Sequence, residues 1–137
     1  MMPNSAKVSD YMFRNPLTIG PDESLVKAIS MIVEHKLTGL TVSDNQGGVV
    51  GILSELDCIE AVLTAIYHDG GPDHLLVKDA MADKVNTCTS SDGIVEVARD
   101  MVDTRQRRRP VIENGKLIGQ VSSNNILWAL MQHSRSQ

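Results

Sequence analysis

The sequence predicts an α+β fold made of two copies of a strand–helix–strand–strand–helix unit, and three observations carry that expectation. The first is self-similarity: Val8-Ser9-Asp10-Tyr11-Met12 returns as Val77-Lys78-Asp79-Ala80-Met81, 69 residues later. At the same offset Thr18 meets Thr87, Leu25 meets Ile94, Ile32 meets Met101 and Val42 meets Val111. One residue then drops out, so that Gly51 meets Gly119, Ser54 meets Ser122 and Asp57 meets Asn125 at an offset of 68. The second is that each copy carries apolar residues at helical spacing on either side of short apolar runs that flank turn residues. The third is size. A unit of about 50 residues buries too little apolar surface to be comfortable alone, so the copies are expected to share one core.

Taken in order, each copy opens with its Asp-x-Met turn and a brief extended piece, Leu17 to Ile19 or Asn86 to Cys88. A helix follows, with Asp22 or Ser91 expected as its cap and acidic Glu23 or Asp92 in its first turn. Leu25, Ala28, Ile29, Ile32 and Val33 mark one buried face, repeated by Ile94, Val97, Ala98, Met101 and Val102. Strands are expected at Leu40 to Ser43 and Val49 to Leu53 around Asp44-Asn45-Gln46-Gly47-Gly48. Their counterparts, Pro110 to Glu113 and Lys116 to Val121, flank Asn114-Gly115, a strong hairpin signal. A second helix closes each copy, carrying Ile59, Val62, Leu63 and Ile66, then Ile126, Leu127, Leu130 and Met131. The expected domains are therefore repeat 1 over 8–67, a turn-rich linker over 68–76 and repeat 2 over 77–133.

Composition removes several function classes. The 137 residues carry a net charge of -4, with a pI near 5.5, so the surface as a whole does not attract phosphate backbones or anionic membranes. Aromatics make up 3%, which leaves little for stacking bases. No apolar run approaches the roughly 20 residues of a membrane helix. The polar stretch from Met1 to Lys7 has no secretory character. Cys58 and Cys88 lie in apolar contexts without a CxxC pair, which points to buried reduced thiols and a cytoplasmic location.

The opening Val-x-Asp-x-Met, the Arg109-Pro110-Val111-Ile112 strand and Gly51-Ile52-Leu53-Ser54-Glu55-Leu56-Asp57 together resemble a tandem pair of cystathionine-β-synthase-type (CBS) domains, a Bateman module. Gly119-Gln120-Val121-Ser122-Ser123-Asn124-Asn125 supplies the second version of the last motif. The resemblance implies two repeats packed sheet to sheet with pseudo-two-fold symmetry, clefts between them, and pairing into dimers through helices. It also implies a regulatory ligand, AMP, ADP, ATP or S-adenosylmethionine, with no cofactor required. Thr41 departs from the family, which usually has Pro there, as the second copy does at Pro110.

Ser54 and Asp57 admit two readings. One is a capping box, with Ser54 as N-cap and Asp57 reaching back to a backbone N–H. The other, implied by the resemblance, has Asp57 accepting bonds from two ribose hydroxyls and Ser54 contacting ribose or phosphate. An ionised carboxylate suits that task, and the helix N-terminus favours an anion beside it. Ser122 and Asn125 are the second copy's pair, and Asn lacks the charge and the second acceptor oxygen. The Asn125 site is therefore expected to be the weaker or an empty one.

Arg105-Gln106-Arg107-Arg108-Arg109 stands out in an acidic chain. It reads either as a solvated charge run or, by resemblance, as a phosphate grip through Arg107 and Arg108. Mutual repulsion among the arginines would be relieved by a bound anion. Thr38-Gly39-Leu40 offers no such charge in the first copy. Ile19, Gly20 and Leu25, with Cys88, Thr89 and Ile94, are the family-matched adenine lining, although core packing explains them equally well.

His68, Asp69, Asp73 and His74 lack a scaffold for a metal and read as solvated linker. Met12, Met31, Met81 and Met101 read as core filler. No P-loop, dinucleotide loop or nucleophile elbow is present, and neither cysteine has a basic neighbour in sequence, so no catalytic residue is expected. The expected function is a non-enzymatic sensor that binds an adenine nucleotide, forms a homodimer and modulates a separate protein, since no attached effector domain is visible. The alternative is a ligand-independent dimeric interaction module. Neither nucleic acid nor membrane is expected as a partner.

Overall fold

The computed structural model describes residues 6–68 and 70–135. Along the chain come a 3-10 turn (Val8–Asp10), β1 (Phe13–Arg14), β2 (Thr18–Ile19), α1 (Leu25–Glu34), β3 (Gly39–Ser43), β4 (Val49–Ser54) and α2 (Glu55–His68). The second half adds α3 (Val77–Ala80), α4 (Ile94–Thr104), β5 (Arg108–Glu113), β6 (Lys116–Ser122) and α5 (Ser123–Arg135). This is the expected α+β alternation, divided into two compact units.

One unit is continuous, Leu17–Val85. Its sheet runs β2-β3-β4, with β2 parallel to β3 and β3 antiparallel to β4. A parallel neighbour requires a crossover, and α1 supplies it. Ile19, Leu25, Ala28, Ile32, Leu40, Val42, Leu53, Cys58 and Val77 form its core.

The other unit joins the chain up to Pro16 with the chain from Asn86 onward. Its sheet runs β1-β6-β5, and both neighbouring pairs are antiparallel. Asn114 and Gly115 take φ of 51° and 77°, the left-handed pair of a primed turn that the Asn-Gly dipeptide announced. Cys88 makes a parallel bridge to Val111, the reduced counterpart of β2. Val8, Cys88, Ile94, Val97, Ala98, Met101, Val111, Val121, Ile126 and Ala129 form this core.

The compact units are thus not the sequence repeats of 8–67 and 77–133. Each repeat donates its opening segment to the other repeat's unit, so a single shared core gives way to two, and each draws on both copies. The donation follows the 69-residue register bond for bond. Val8 N–H donates to Asp92 O and Val77 N–H to Glu23 O, both at 2.9 Å. Ile94 N–H donates to Ala6 O at 3.1 Å and Leu25 N–H to Leu75 O at 3.0 Å. The aspartates of the opening motifs brace these segments, Asp10 Oδ2 accepting from Lys7 N–H and Asp79 Oδ2 from Leu76 N–H.

Those bonds explain a correction at the helix starts. Asp22 and Ser91 are not caps: α1 begins after Ser24, whose hydroxyl accepts from Lys27 N–H at 3.4 Å, and α4 begins after Gly93 without a side-chain cap. Asp92 and Glu23 precede the helices for the same reason. Asp92 Oδ2 closes a local turn by accepting from Thr89 N–H at 2.9 Å, and the donated segment's carbonyl takes the first helical N–H. A second correction concerns the buried faces. Val33 and Val102, equivalent across the repeat, are 69% and 66% exposed. In α2 and α5 the core side is made by the small residues Cys58, Ala65 and Ala129 together with Ile126, while Ile59, Leu63, Ile66, Leu127 and Met131 are exposed.

Candidate functional site

The helix entrances at Ser54 and Ser122 carry the candidate ribose-binding pairs. β4 ends at Ser54, and α2 starts immediately after it without a loop, so Ser54 is held by the β3–β4 ladder opposite Gly39. Ser54 N–H donates to Asp57 Oδ2 at 2.9 Å, and Asp57 N–H donates to Ser54 Oγ at 3.1 Å. This is a complete capping box. It engages one carboxylate oxygen and leaves Oδ1 and the Ser54 hydroxyl proton outside the reciprocal pair. Asp57 lines a cavity of about 370 Å³ with Glu60, Ala61, Thr64, Leu75 and Asp79 among its walls, all within Leu17–Val85. Glu60 and Thr64 were missed from sequence, although they follow Asp57 at helical steps of three and four.

The second copy builds the same box with different chemistry. Asn125 Oδ1 accepts from Ser122 N–H at 3.2 Å and from Ser122 Oγ at 2.9 Å, while Asn125 N–H donates to Ser122 Oγ at 3.2 Å. The Ser122 hydroxyl is therefore committed as both donor and acceptor. Asn125 has only its amide N–H groups left over, which donate rather than accept.

Ile19 is buried in the core, and with Gly20 it lines a different cavity of about 640 Å³ whose walls include Thr18, Lys27, Met31 and Asp44. Asp57 is not on that lining, so the ribose and adenine candidates of this unit border separate cavities. In the other unit Thr89 is exposed; its N–H is taken by Asp92, and its hydroxyl lies 3.3 Å from Ser91 Oγ.

The arginine run divides. Arg107 is exposed, Arg108 is half-buried on β5, and Arg109 is buried at 4% exposure. Arg109 pairs with Asp100 Oδ2 at 2.6 Å and donates through Nε to Gln106 Oε1 at 3.1 Å. Its charge is thereby matched inside the protein, which corrects the expectation that all four arginines share an unrelieved repulsion. Asp100, on α4, was invisible as a partner because it lies nine residues away across a helix end. Arg105 takes φ of 56° as the C-cap of α4, and Lys36 holds the equivalent place at 53°.

Both cysteines are free and buried. Burial, with the Asp57 and Glu55 carboxylates behind it, pushes the Cys58 thiol up to about 11. Burial and Asp92 do the same for Cys88, to about 11, against an opposing pull from the Arg109 guanidinium. Cys88 therefore has a basic neighbour in space that the sequence hid, yet burial outweighs it. Of the methionines read as core filler, Met101 is buried and Met12, Met31 and Met81 pack against the two cores.

Asp69, one of the linker residues weighed for metal binding, and Met1–Ser5 lie outside the described residues. Among the described residues no group of three or more His, Cys, Asp or Glu side chains converges as a metal site requires. Among them, too, no helix is long and apolar enough to cross a membrane.

The CBS domain pattern matches residues 8–64 and 77–132. The structure of CBSX2 of Arabidopsis thaliana in complex with AMP superposes with a TM-score of 0.81 at 28% identity, covering 94% of this chain and 98% of that one. An uncharacterised protein of Methanopyrus kandleri is 29% identical over 124 residues, which cover 90% of this chain and 62% of that protein. A homoserine O-acetyltransferase of Methanococcus vannielii is 28% identical over 120 residues, 87% of this chain but 24% of the enzyme. The chain spans 62%, 42% and 65% of the length of the first curated relatives it matches. The two matched segments follow the internal repeat read from residues alone, and the chain belongs to the CBS domain family as a tandem pair of such domains.

Proposed function

We propose that this CBS pair is a non-enzymatic regulatory module that binds an adenine nucleotide, AMP, ADP, ATP or S-adenosylmethionine, and modulates a separate protein. The observation that carries the reading is the capping box at Ser54 and Asp57, with Asp57 on a cavity wall. A ribose presents two adjacent hydroxyls, each able to donate. Asp57 Oδ1 accepts one and the Ser54 hydroxyl turns to meet the sugar, while the charge on the carboxylate strengthens both contacts. Asn125 has no second acceptor to give, so the pair at Ser122 is the weaker site or an empty one. Exposed Arg107, with Arg108, supplies guanidinium forks for phosphate. Ile19 and Gly20, which border a cavity separate from that of Asp57, and Thr89, in the other unit, are the adenine candidates that the family resemblance supplies. That CBSX2, similar over nearly the whole chain, is described in complex with AMP supports the ligand class.

A ligand present at 100 times its Kd stabilises the folded state by about 2.7 kcal/mol. In a thermal-shift panel of the four ligands, at least one raises Tm by several degrees. Asp57→Ala removes that rise, and Asn125→Ala leaves it in place. A flat response to all four at millimolar concentration overturns the nucleotide reading.

A second reading, a ligand-independent homodimeric interaction module, draws on a separate observation. α2 leaves Leu56 and Tyr67 76% and 80% exposed, together with Ile59, Leu63 and Ile66. Apolar surface of that kind marks an interface. The homodimer belongs to both readings; a flat ligand panel combined with a stable dimer selects the second.

A further inference from the structure

Met12 and Met81 hold the same place in the repeat, and each lays its thioether on a glycine of the other sequence copy. A carbon added to Gly51 would stand 2.5 Å from Met81 Sδ, and one added to Gly119 would stand 2.9 Å from Met12 Sδ. Neither sulfur has room on its glycine side for one more atom. Carbonyl oxygens close the same contacts, Ala82 O at 3.0 Å from the first position and Phe13 O at 2.8 Å from the second. The neighbouring donors are committed. Ala82 N–H donates to Ile52 O, Ile52 N–H to Ala82 O and Met12 N–H to Val8 O, each at 2.9 Å.

Both methionines are nonetheless part-exposed, packed at the margins of the two cores. The cysteines are better shielded. Cys58 and Cys88 are buried, and burial pushes both thiols up to about 11, which leaves little thiolate for an oxidant. Among the described residues, the sulfur open to a peroxide is therefore that of methionine.

We propose that Met12 and Met81 are oxidation sites, and that converting their thioethers to sulfoxides releases the opening segments they pin. In the step, a sulfur lone pair attacks one oxygen of hydrogen peroxide and forms the S–O bond as the O–O bond breaks. The sulfur gives up two electrons, and the departing hydroxide takes the remaining proton to leave as water. The product side chain is polar, and its new oxygen accepts hydrogen bonds without donating any. At either contact that oxygen meets carbonyl oxygens and committed donors, so it stays unpaired unless the segment lifts away. At Met81 the segment carries Asp79 and Ala80, which line the cavity of Asp57, so its release takes a wall from that cavity. This last consequence rests on the nucleotide reading, whereas the release of the segments does not.

The test treats the whole chain with millimolar hydrogen peroxide and assigns sulfoxides by peptide mass spectrometry. Amide exchange then reads the release. Protection at Ile52 and Ala82 is expected to fall about tenfold when Met81 is oxidised, and at Val8 and Ser9 when Met12 is oxidised. Methionine sulfoxide reductases for both epimers restore it. Oxidation of Met131, 46% exposed on α5, has no such effect. Met12→Leu with Met81→Leu keeps the apolar volume and holds its protection through the same treatment. Thioethers at Met12 and Met81 that survive while Met31 and Met131 are converted overturn the proposal, as does an equal loss of protection in wild type and double variant. Should the double variant fail to fold, the wild type decides: unchanged protection in the oxidised chain, or protection still low once the reductases have removed the sulfoxides, overturns it. A ligand-induced thermal shift that survives oxidation of Met81 overturns only the link to the Asp57 cavity. No ligand shift before oxidation is instead the failure of the nucleotide reading.

Discussion

Thr41 is fully buried on β3, and its hydroxyl has no hydrogen-bond partner among the described residues. A buried unpaired hydroxyl costs about 1–3 kcal/mol, and valine has the same shape without it. Thr41→Val is therefore expected to add about 1 kcal/mol of stability, read as a higher urea midpoint at unchanged slope. A lower midpoint shows the hydroxyl to be satisfied. The sequence already marked this position, since the second copy has Pro110 there, but it could not show that the hydroxyl is enclosed. Much of the candidate site was legible in the same way: Ser-x-x-Asp and Ser-x-x-Asn announced two boxes of unequal chemistry, and both boxes form. Arg109 was not legible, because its partner Asp100 is brought to it only by the end of α4. The caps were misread because Asp92 and the donated carbonyls satisfy groups that the local sequence assigns to Asp22 and Ser91.

At the scale of elements, the repeated glycine and the repeated Asp-x-Met are one contact seen from two sides. A Cβ on Gly51 would meet Met81 Sδ at 2.5 Å and Ala82 O at 3.0 Å, and one on Gly119 would meet Phe13 O at 2.8 Å and Met12 Sδ at 2.9 Å. Each methionine covers the glycine of the other sequence copy. Inserting a methyl group into such a contact costs about 1–3 kcal/mol. Gly119→Ala is expected to cost more than Gly51→Ala, because its nearest atom is a backbone oxygen at 2.8 Å, whereas at Gly51 the nearest is the end of a flexible thioether and the backbone oxygen of Ala82 stands off at 3.0 Å. In a double-mutant cycle, Met81→Ala recovers part of the loss in Gly51→Ala, whereas Met12→Ala recovers little in Gly119→Ala. Equal losses and equal recoveries in chemical denaturation refute this account. Repeat arithmetic found both motifs and their spacing. It could not find the crossing, because the same offsets arise whether Met12 covers Gly51 or Gly119.

For the whole molecule, the crossing decides which piece of chain can stand by itself. Leu17–Val85 contains every residue of one core, Val77 included. Val8–Tyr67, a sequence repeat, lacks Val77 and keeps Val8 without the residues that bury it. The fragment Leu17–Val85 is expected to show a cooperative urea transition with a stability of a few kcal/mol, as suits a chain of its size. Val8–Tyr67 is expected to show none, by circular dichroism and amide dispersion. The opposite result would dissolve the division into these two units. The fold class was readable from periodicity and repetition, and so was the size of each copy. The compact units were not, because they are defined by contacts that leave no local trace in composition.

The donated opening segment also carries a consequence for synthesis on the ribosome. Ala6 to Arg14 are made before Leu17–Val85, whereas their hydrogen-bond partners at Ser90, Asp92, Ile94 and Gly119–Gln120 are made after it. At about 5–20 residues per second, that leaves Val8 and Tyr11 exposed for on the order of 10 s while Leu17–Val85 is translated and closes. The opening segment is thus translated ahead of a whole unit and finds its place only after it, with Val8 held in water until Asp92 and Gly119–Gln120 have emerged.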